Sequence, residues 1–168
     1  FIGSDQKMFA LYKKYLNMEL LVCIAEDKVP STKEPNPYMH VFLDAGQGNI
    51  LAFFEITGEK EMSRDLNTPI WVQHIAFRLK NEQDLLAAKK ELEQKGLEVL
   101  GVTEHGIIRS IYFFDPDGHR LELTCVTGSP EQMKTLKEIA PAMLEEWSVT
   151  KKPPRHSAWL HDKEFQKS

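Results

Sequence analysis

The sequence predicts an α+β fold made of two copies of a β-α-β-β-β module, followed by a helical extension. Two observations favour this fold. Three strand-like apolar segments follow each of two amphipathic helical segments along the chain. The last predicted strands of the two sets also have similar sequences, since residues 54–57 read Phe-Glu-Ile-Thr and residues 121–124 read Leu-Glu-Leu-Thr. We therefore expect paired modules that form a curved mixed sheet around a cavity.

Composition limits the possible functions. Of 168 residues, 42% are hydrophobic and 27% are charged, and no apolar run approaches the roughly 20 residues that span a bilayer. A net charge of −4 gives no cationic field to hold a phosphate backbone, so we expect neither nucleic acid nor a membrane as a partner. Cys23 and Cys125 form no disulfide framework or zinc ribbon, and no signal peptide is visible, so we expect a cytoplasmic protein with reduced thiols.

The first module begins with an amphipathic helix over residues 5–16, which Ser4 is placed to cap. Its apolar stripe has helical spacing and consists of Met8, Leu11, Tyr12 and Tyr15. Strands are predicted over 18–25, 38–45 and 50–57. The loop 26–37 contains three prolines, and glycines at 46 and 48 permit a tight turn. The module lacks its initial strand, of which Phe1 and Ile2 would be the end.

The second module repeats this order with its initial strand present. Strands are predicted over 71–79, 97–103, 107–114 and 119–126. Between the first two, Asn81 is placed to cap a helix that ends at Lys95, with Gly96 just beyond it. A capping box then starts at Ser129 and opens a further helix, which Pro141 is expected to kink or divide.

These elements predict four segments: a first module over 1–57, a linker over 58–70, a second module over 71–126, and a helical extension with its tail over 127–168. The tail carries apolar groups that are costly to leave bare, and the module sheets have edge strands that need cover. We therefore expect a homodimer.

Three potential metal ligands converge on the expected cavity. Alternation along residues 71–79 directs His74 away from the apolar, helix-facing side. A turn over 115–118 gives a hairpin register that places Tyr112 opposite Glu122, on the same side as His74. Glu55 holds the equivalent position in the first module. Imidazole and carboxylate ligands suit Fe²⁺, Mn²⁺, Ni²⁺, Co²⁺ or Zn²⁺.

At this point the sequence resembles the vicinal oxygen chelate superfamily, which includes glyoxalases, bleomycin-resistance proteins and extradiol dioxygenases. The similar segments are 74–77 (HIAF), 112–123 (YFFDPDGHRLEL) and, more weakly, 9–16 (FALYKKYL). The resemblance implies paired modules around a divalent metal, with ligands from the first and last strands of each module. It assigns His74, Glu122 and Glu55 as ligands, and it places a remaining ligand, usually His or Gln, before Phe1.

The resemblance leaves the reaction open between two enzymes and a binding protein. Glu55 favours a glyoxalase-like lyase or isomerase, in which Glu122 or Glu55 is the base that moves a proton. Tyr112 favours an Fe²⁺ extradiol ring-cleavage dioxygenase, whose acid–base tyrosine holds this place. We take proton transfer as the leading hypothesis and ring cleavage as the alternative. The third possibility is a metal-free, ligand-sequestering protein of the bleomycin-resistance kind.

The substrate is expected to be a small molecule with an apolar or aromatic body. Phe53, Ile108 and Phe114 are predicted to line the pocket, and no Gly-rich phosphate cradle is present. His105 lies in a predicted hairpin next to the cavity mouth, where it is a candidate substrate contact. The strand 50–57 has no histidine to act as the second base of a dioxygenase, a role open to His105 or His40.

Overall fold

The computed structural model describes residues 5–32, 34–56 and 67–151. Along these residues the elements are α1 (Asp5–Leu16), β1 (Leu20–Lys28), β2 (Pro35–Gly46), β3 (Asn49–Ile56), β4 (His74–Arg78), α2 (Glu82–Gln94), β5 (Leu100–Glu104), β6 (Ile108–Phe114), β7 (Arg120–Val126) and α3 (Pro130–Thr150). This order confirms the α+β class and the C-terminal helix. The expected Ser4 cap, the expected strand end at Phe1 and Ile2, and the tail beyond Lys151 lie outside the described residues.

The chain divides into two compact units. The first comprises Phe1–Ile75 with Phe113–Leu121, and the second comprises Ala76–Tyr112 with Glu122–Ser168. The four predicted segments remain a prediction.

In the first unit, helix α1 packs on one face of the antiparallel sheet β1-β2-β3. The register pairs Val41 with Phe53 and Met39 with Glu55, so Phe53 and Glu55 share a face. The Tyr12 ring lies against the Phe53 ring, with centroids 4.9 Å apart. Helix α1 therefore covers the sheet face that carries Glu55.

A buried hydrogen bond joins α1 to the turn between β6 and β7, within the same unit. The Tyr12 hydroxyl donates to Asp115 Oδ2 at 2.9 Å. The other oxygen of Asp115 accepts the backbone N–H groups of Asp117 and His119, at 3.0 and 2.8 Å, as expected for a tight turn. Burial and the Asp115 carboxylate both raise the pKa of Tyr12.

The opposite face of this sheet is largely exposed. Ile24 and Phe54 each expose 43% of their surface. Between them, His40 stacks on Phe54 with ring centroids 3.7 Å apart, and burial lowers the pKa of His40. All nine residues of β1, at one edge of the sheet, are exposed.

The second sheet has the strand order β4-β7-β6-β5. Helix α2 begins as predicted, because the Asn81 side chain accepts the backbone N–H of Asp84 at 2.8 Å. It ends before Gly96, whose φ is +84°. The second unit has a core of fully buried apolar side chains, among them Leu85, Ile111 and Cys125. None of the helices in the described residues has the length and apolar character that a membrane crossing needs.

Two strand boundaries differ from the prediction in ways that local hydrogen bonds explain. The predicted strand 71–79 is a strand only over His74–Arg78, because the Val72 N–H donates to the Pro69 carbonyl and forms a turn. The predicted loop 26–37 is shorter than expected, since β1 and β2 pair as far as Lys28 opposite Pro35. Proline is tolerated at the first position of a strand, so it does not prevent this pairing.

Two further expectations are corrected. The strand predicted over 97–103 runs over Leu100–Glu104. Helix α3 remains a single helix through Pro141, so the proline does not divide it, and the kink expected as the other possibility remains a prediction. The proline removes one donor, the one that would meet the Lys137 carbonyl, but helical bonds on either side remain available. The predicted capping box is confirmed, with Ser129 and Gln132 bonding each other reciprocally.

Candidate active site

Strand β6 presents two polar side chains on one face, because residues two apart in a strand point the same way. These are Ser110 and Tyr112, which expose only 0% and 9% of their surfaces. Ile111 and Phe113 alternate with them and are equally buried. Because both faces of the strand are occupied, a one-residue slip in register would bury the wrong side chains.

The first pair of functional side chains is His105 with Tyr112. His105 Nε2 lies 2.9 Å from the Tyr112 hydroxyl oxygen, and the two rings meet edge to face. The hairpin between β5 and β6 holds the histidine, whose backbone N–H donates to the Ile108 carbonyl at 2.9 Å. Gly106 makes the turn possible with a φ of +85°. Sequence reasoning selected both residues, and the structure brings them together.

This pair has the chemistry of an acid–base couple. A neutral imidazole with a lone pair on Nε2 accepts the Tyr112 hydroxyl proton, whereas a ring protonated at Nε2 donates to the hydroxyl oxygen. When the lone pair is on Nε2, a proton that leaves the Tyr112 hydroxyl has an acceptor 2.9 Å away. Acid–base catalysis requires such a group within hydrogen-bond reach of its partner.

The second pair is Glu122 with Ser110. Glu122 exposes only 5% of its surface, although it is a carboxylic acid. Ser110 Oγ lies 2.5 Å from Glu122 Oε1 and 3.0 Å from Thr124 Oγ1, and the Thr124 hydroxyl donates to the Arg109 carbonyl at 3.1 Å. Burying a carboxylate is costly unless hydrogen bonds or a cation compensate it. The serine supplies part of that compensation.

His74 is the first residue of β4 and is exposed. Its Nδ1 lies 3.2 Å from the carbonyl oxygen of Val72. A carbonyl oxygen only accepts hydrogen bonds, so this contact assigns the proton to Nδ1, and in the neutral ring the lone pair is then on Nε2. Metal-binding histidines commonly have this arrangement, with one ring nitrogen donating to a carbonyl and the other bound to the ion.

Glu55 is half-buried on β3 and lines a cavity of about 360 Å³ in the first unit. Its cross-strand neighbour Met39 and the nearby Tyr38 are apolar walls of this cavity. Two more acidic side chains, Glu26 and Asp27, also line it. The cavity therefore combines carboxylates with an apolar lining.

The predicted ligands lie in different units: Glu55 and His74 in the first, and Glu122 in the second. Within residues 5–32, 34–56 and 67–151, no group of three or more His, Cys, Asp or Glu side chains is placed to hold a metal ion. The joint site of these three ligands remains a prediction. As a donor set they suit a divalent ion, because His74 has the ligand tautomer and Glu122 is a buried carboxylate.

The three predicted pocket-lining side chains differ in exposure. Phe53 is 9% exposed and lies against α1, whereas Phe114 is 40% exposed and Ile108 is half-buried. Their contact with a substrate remains a prediction.

Sequence reasoning missed the role of Ser110. The predicted hairpin register, with Tyr112 opposite Glu122, already placed Ser110 diagonally across from the glutamate, and this was the available signal. Arg109, on the other face of β6, is paired with the Glu104 and Glu82 carboxylates; its Nε lies 2.6 Å from Glu104 Oε2. These carboxylates, Glu104 first, raise the pKa of Arg109.

Comparison with known proteins identifies the family. Residues 1–123 match the model of the Glyoxalase/Bleomycin resistance protein/Dioxygenase superfamily. The chain belongs to this superfamily. The fold agrees, since the chain aligns with the trypanothione-dependent glyoxalase I of Leishmania major at a TM-score of 0.55, covering 88% of this chain and 92% of that one at 21% identity. At this identity, the likeness shows the fold alone.

Two curated relatives carry the names of dioxygenases. A putative ring-cleaving dioxygenase of Bacillus subtilis is 25% identical over 84 residues, which is 50% of this chain and 27% of the relative. A biphenyl-2,3-diol 1,2-dioxygenase of Rhodococcus globerulus is 35% identical over 54 residues, or 32% of this chain and 28% of the relative. The matches thus span little more than a quarter of these relatives.

Proposed function

We propose that this superfamily member is a metal-dependent enzyme that cleaves the ring of a catechol-like substrate with dioxygen. The observation that carries the proposal is the 2.9 Å contact between His105 Nε2 and the Tyr112 hydroxyl. It supplies the histidine that a dioxygenase needs as a second base and that strand β3 lacks. The names of the two curated relatives support the same class.

The proposed ion is Fe²⁺, held by His74 and Glu122, with Glu55 as a further predicted ligand. When bound, such an ion would supply Lewis-acid and redox chemistry for a substrate with two neighbouring oxygens. The Val72 carbonyl fixes the tautomer of His74 for this role. The burial of Glu122 makes a compensating cation favourable.

The chain's own groups then handle the substrate protons. Tyr112 is proposed to move a proton at a substrate oxygen, and His105 to hold the proton that passes through the Tyr112 hydroxyl. Phe53, Ile108 and Phe114 are proposed to contact the apolar body of the substrate. Apolar walls with a few directed polar groups are typical of sites for small aromatic molecules.

The test is turnover of catechols after loading with Fe²⁺ under anaerobic conditions and addition of air. Tyr112→Phe is expected to lower the ring-cleavage rate by roughly 10²- to 10⁴-fold, the usual contribution of a general acid or base. Tyr15→Phe on helix α1 is the matched control and is expected to keep the wild-type rate. Unchanged turnover by Tyr112→Phe would remove the main support for ring cleavage.

Glu55 favours a second candidate function, a glyoxalase-like lyase or isomerase that moves a proton on a metal-chelated substrate. Its half-buried position in a cavity suits a carboxylate that binds a metal or acts as base, with Glu122 as the other candidate base. A hemithioacetal assay with Ni²⁺, Zn²⁺, Mn²⁺ or Co²⁺ tests it. Hemithioacetal turnover that Glu55→Gln abolishes, without activity on catechols, would replace the dioxygenase proposal.

Metal analysis separates both enzymes from a metal-free ligand-sequestering protein. Less than about a tenth of a metal ion per chain, together with no rise in melting temperature on adding Fe²⁺, Ni²⁺ or Zn²⁺, would favour the binding protein, because an ion that binds the native state stabilises it.

We also propose a homodimer. Strand β1 is an edge strand whose nine residues are all exposed, including Leu20, Leu21, Val22 and Ile24. An exposed apolar edge presents unpaired backbone groups and is a template for another strand. Sedimentation at micromolar concentration is expected to give a dimer, and Ile24→Lys is expected to shift it to monomer. A monomeric wild type would contradict the proposal.

A further inference from the structure

We propose that Ser110 is a positioning residue for the Glu122 carboxylate and thereby sets how tightly the site holds its ion. This inference rests on the proposed function, because it takes Glu122 to be a ligand. Ser110 itself is not a ligand and is not expected to touch the substrate.

Ser110 is completely buried. Ser110 is 0% exposed, in a strand whose neighbouring side chain Ile111 is also 0% exposed. A buried hydroxyl needs a partner, since an unpaired one costs about 1–3 kcal/mol. An alanine would fit there without that requirement, so the hydroxyl is explained by what it bonds.

The Ser110 hydroxyl donates its proton to Glu122. Ser110 has one hydroxyl proton and two oxygen neighbours, Glu122 Oε1 at 2.5 Å and Thr124 Oγ1 at 3.0 Å. A carboxylate is the stronger acceptor, and hydrogen bonds to it are short, so the proton is donated to Glu122. The Thr124 hydroxyl donates its own proton to the Arg109 carbonyl at 3.1 Å.

The contact between Ser110 and Glu122 is held between two paired strands. Ser110 and Glu122 lie on adjacent strands of one sheet, β6 and β7, so the backbone fixes both ends of the contact. One carboxylate oxygen is thereby held in place, which fixes the plane of the group. Partners that orient a ligand in this way typically change metal affinity by roughly 10- to 100-fold when they are removed.

The test compares metal binding by wild type, Ser110→Ala and the matched control Ser148→Ala. Ser148 lies on helix α3, where its exposed hydroxyl bonds the Leu144 carbonyl. Competition with a chromogenic chelator gives the Kd for Fe²⁺ and Co²⁺. Ser110→Ala is expected to weaken binding by roughly 10- to 100-fold, and Ser148→Ala is expected to bind as wild type does.

A spectroscopic reading separates positioning from a loss of structure. The visible absorption of bound Co²⁺ reports ligand geometry, and we expect its bands to shift in Ser110→Ala at full occupancy. Circular dichroism checks that the variant is folded. If it does not fold, Ser110→Cys is measured instead, because a thiol fills the same position but is a weaker hydrogen-bond donor, and it is expected to weaken binding by a smaller factor.

The results of these measurements decide whether Ser110 positions Glu122. Wild-type binding with an unchanged Kd and unchanged Co²⁺ bands in Ser110→Ala overturns the role of Ser110 and leaves the proposed function standing. If Ser110→Cys is the variant measured, an unchanged Kd has the same meaning. No binding by the wild type overturns both proposals.

Discussion

The contact of Tyr12 with Asp115 gives the most quantitative prediction for the fold. Tyr12 is 1% exposed, and its hydroxyl is 2.9 Å from a carboxylate that is itself 5% exposed. Tyr12→Phe deletes this hydrogen bond and leaves Asp115 Oδ2 without that donor. Hydrogen bonds to charged groups contribute about 1.5–3 kcal/mol, so we expect the free energy of unfolding to fall by about 2 kcal/mol.

Urea unfolding followed by circular dichroism measures this loss. With a slope of about 2 kcal/mol per molar urea, the midpoint should fall by about 1 M. Tyr38→Phe is the matched control, because it keeps the ring contact with Phe54 and is expected to cost less than about 0.5 kcal/mol. A loss for Tyr12→Phe no larger than that of the control would refute the reasoning.

The pH dependence of stability tests the same hydrogen bond in a second way. The pKa of Tyr12 is raised by burial and by Asp115. Above about pH 10 an unfolded tyrosine releases its proton while the folded one retains it, so stability is lost as the pH rises. The difference in free energy of unfolding between wild type and Tyr12→Phe should therefore be constant from pH 7 to 9 and shrink above about pH 10.

The remaining predictions concern Gly101, which lies at a shift in the β5–β6 register, and His40. Gly101 has a φ of +108°, and an added Cβ would lie 2.7 Å from the Ser110 carbonyl oxygen, so Gly101→Ala should cost at least about 2 kcal/mol. Gly46→Ala, at a φ of +84° in open space, should cost only about 1 kcal/mol in the same unfolding assay, and equal losses would contradict the clash. Burial lowers the pKa of His40, so wild-type stability should fall as the pH drops below about 6.5, and His40→Phe should flatten that decline between pH 7 and 5. Parallel stability curves for the two proteins would contradict that assignment.

The parts of the fold that sequence predicted well are those that short-range chemistry determines. The Asn81 cap, the Gly96 end of α2 and the Ser129 capping box each depend on residues within one helical turn. The prediction failed where a competing local bond was hidden, as at Val72, whose N–H turns back to Pro69. Pro141 does not divide α3, because helical bonds on either side outweigh one lost donor.

The candidate site was predictable residue by residue but not as a network. Tyr112 and His105 were selected on separate grounds, and their hydrogen bond depends on the shape of the β5–β6 hairpin. Ser110 was missed because a single serine in a strand has no distinctive pattern. The metal site of Glu55, His74 and Glu122 depends on residues that are far apart in sequence. It remains a prediction.

The most direct test of the account is oxygen uptake by the iron-loaded protein on addition of a catechol. We expect the wild type to consume one dioxygen for each ring-opened product. Tyr112→Phe, loaded with the same amount of iron, is expected to do so at a rate lower by roughly 10²-fold or more. Iron-loaded wild type that takes up no oxygen with any catechol, or a Tyr112→Phe variant as fast as wild type, would contradict it.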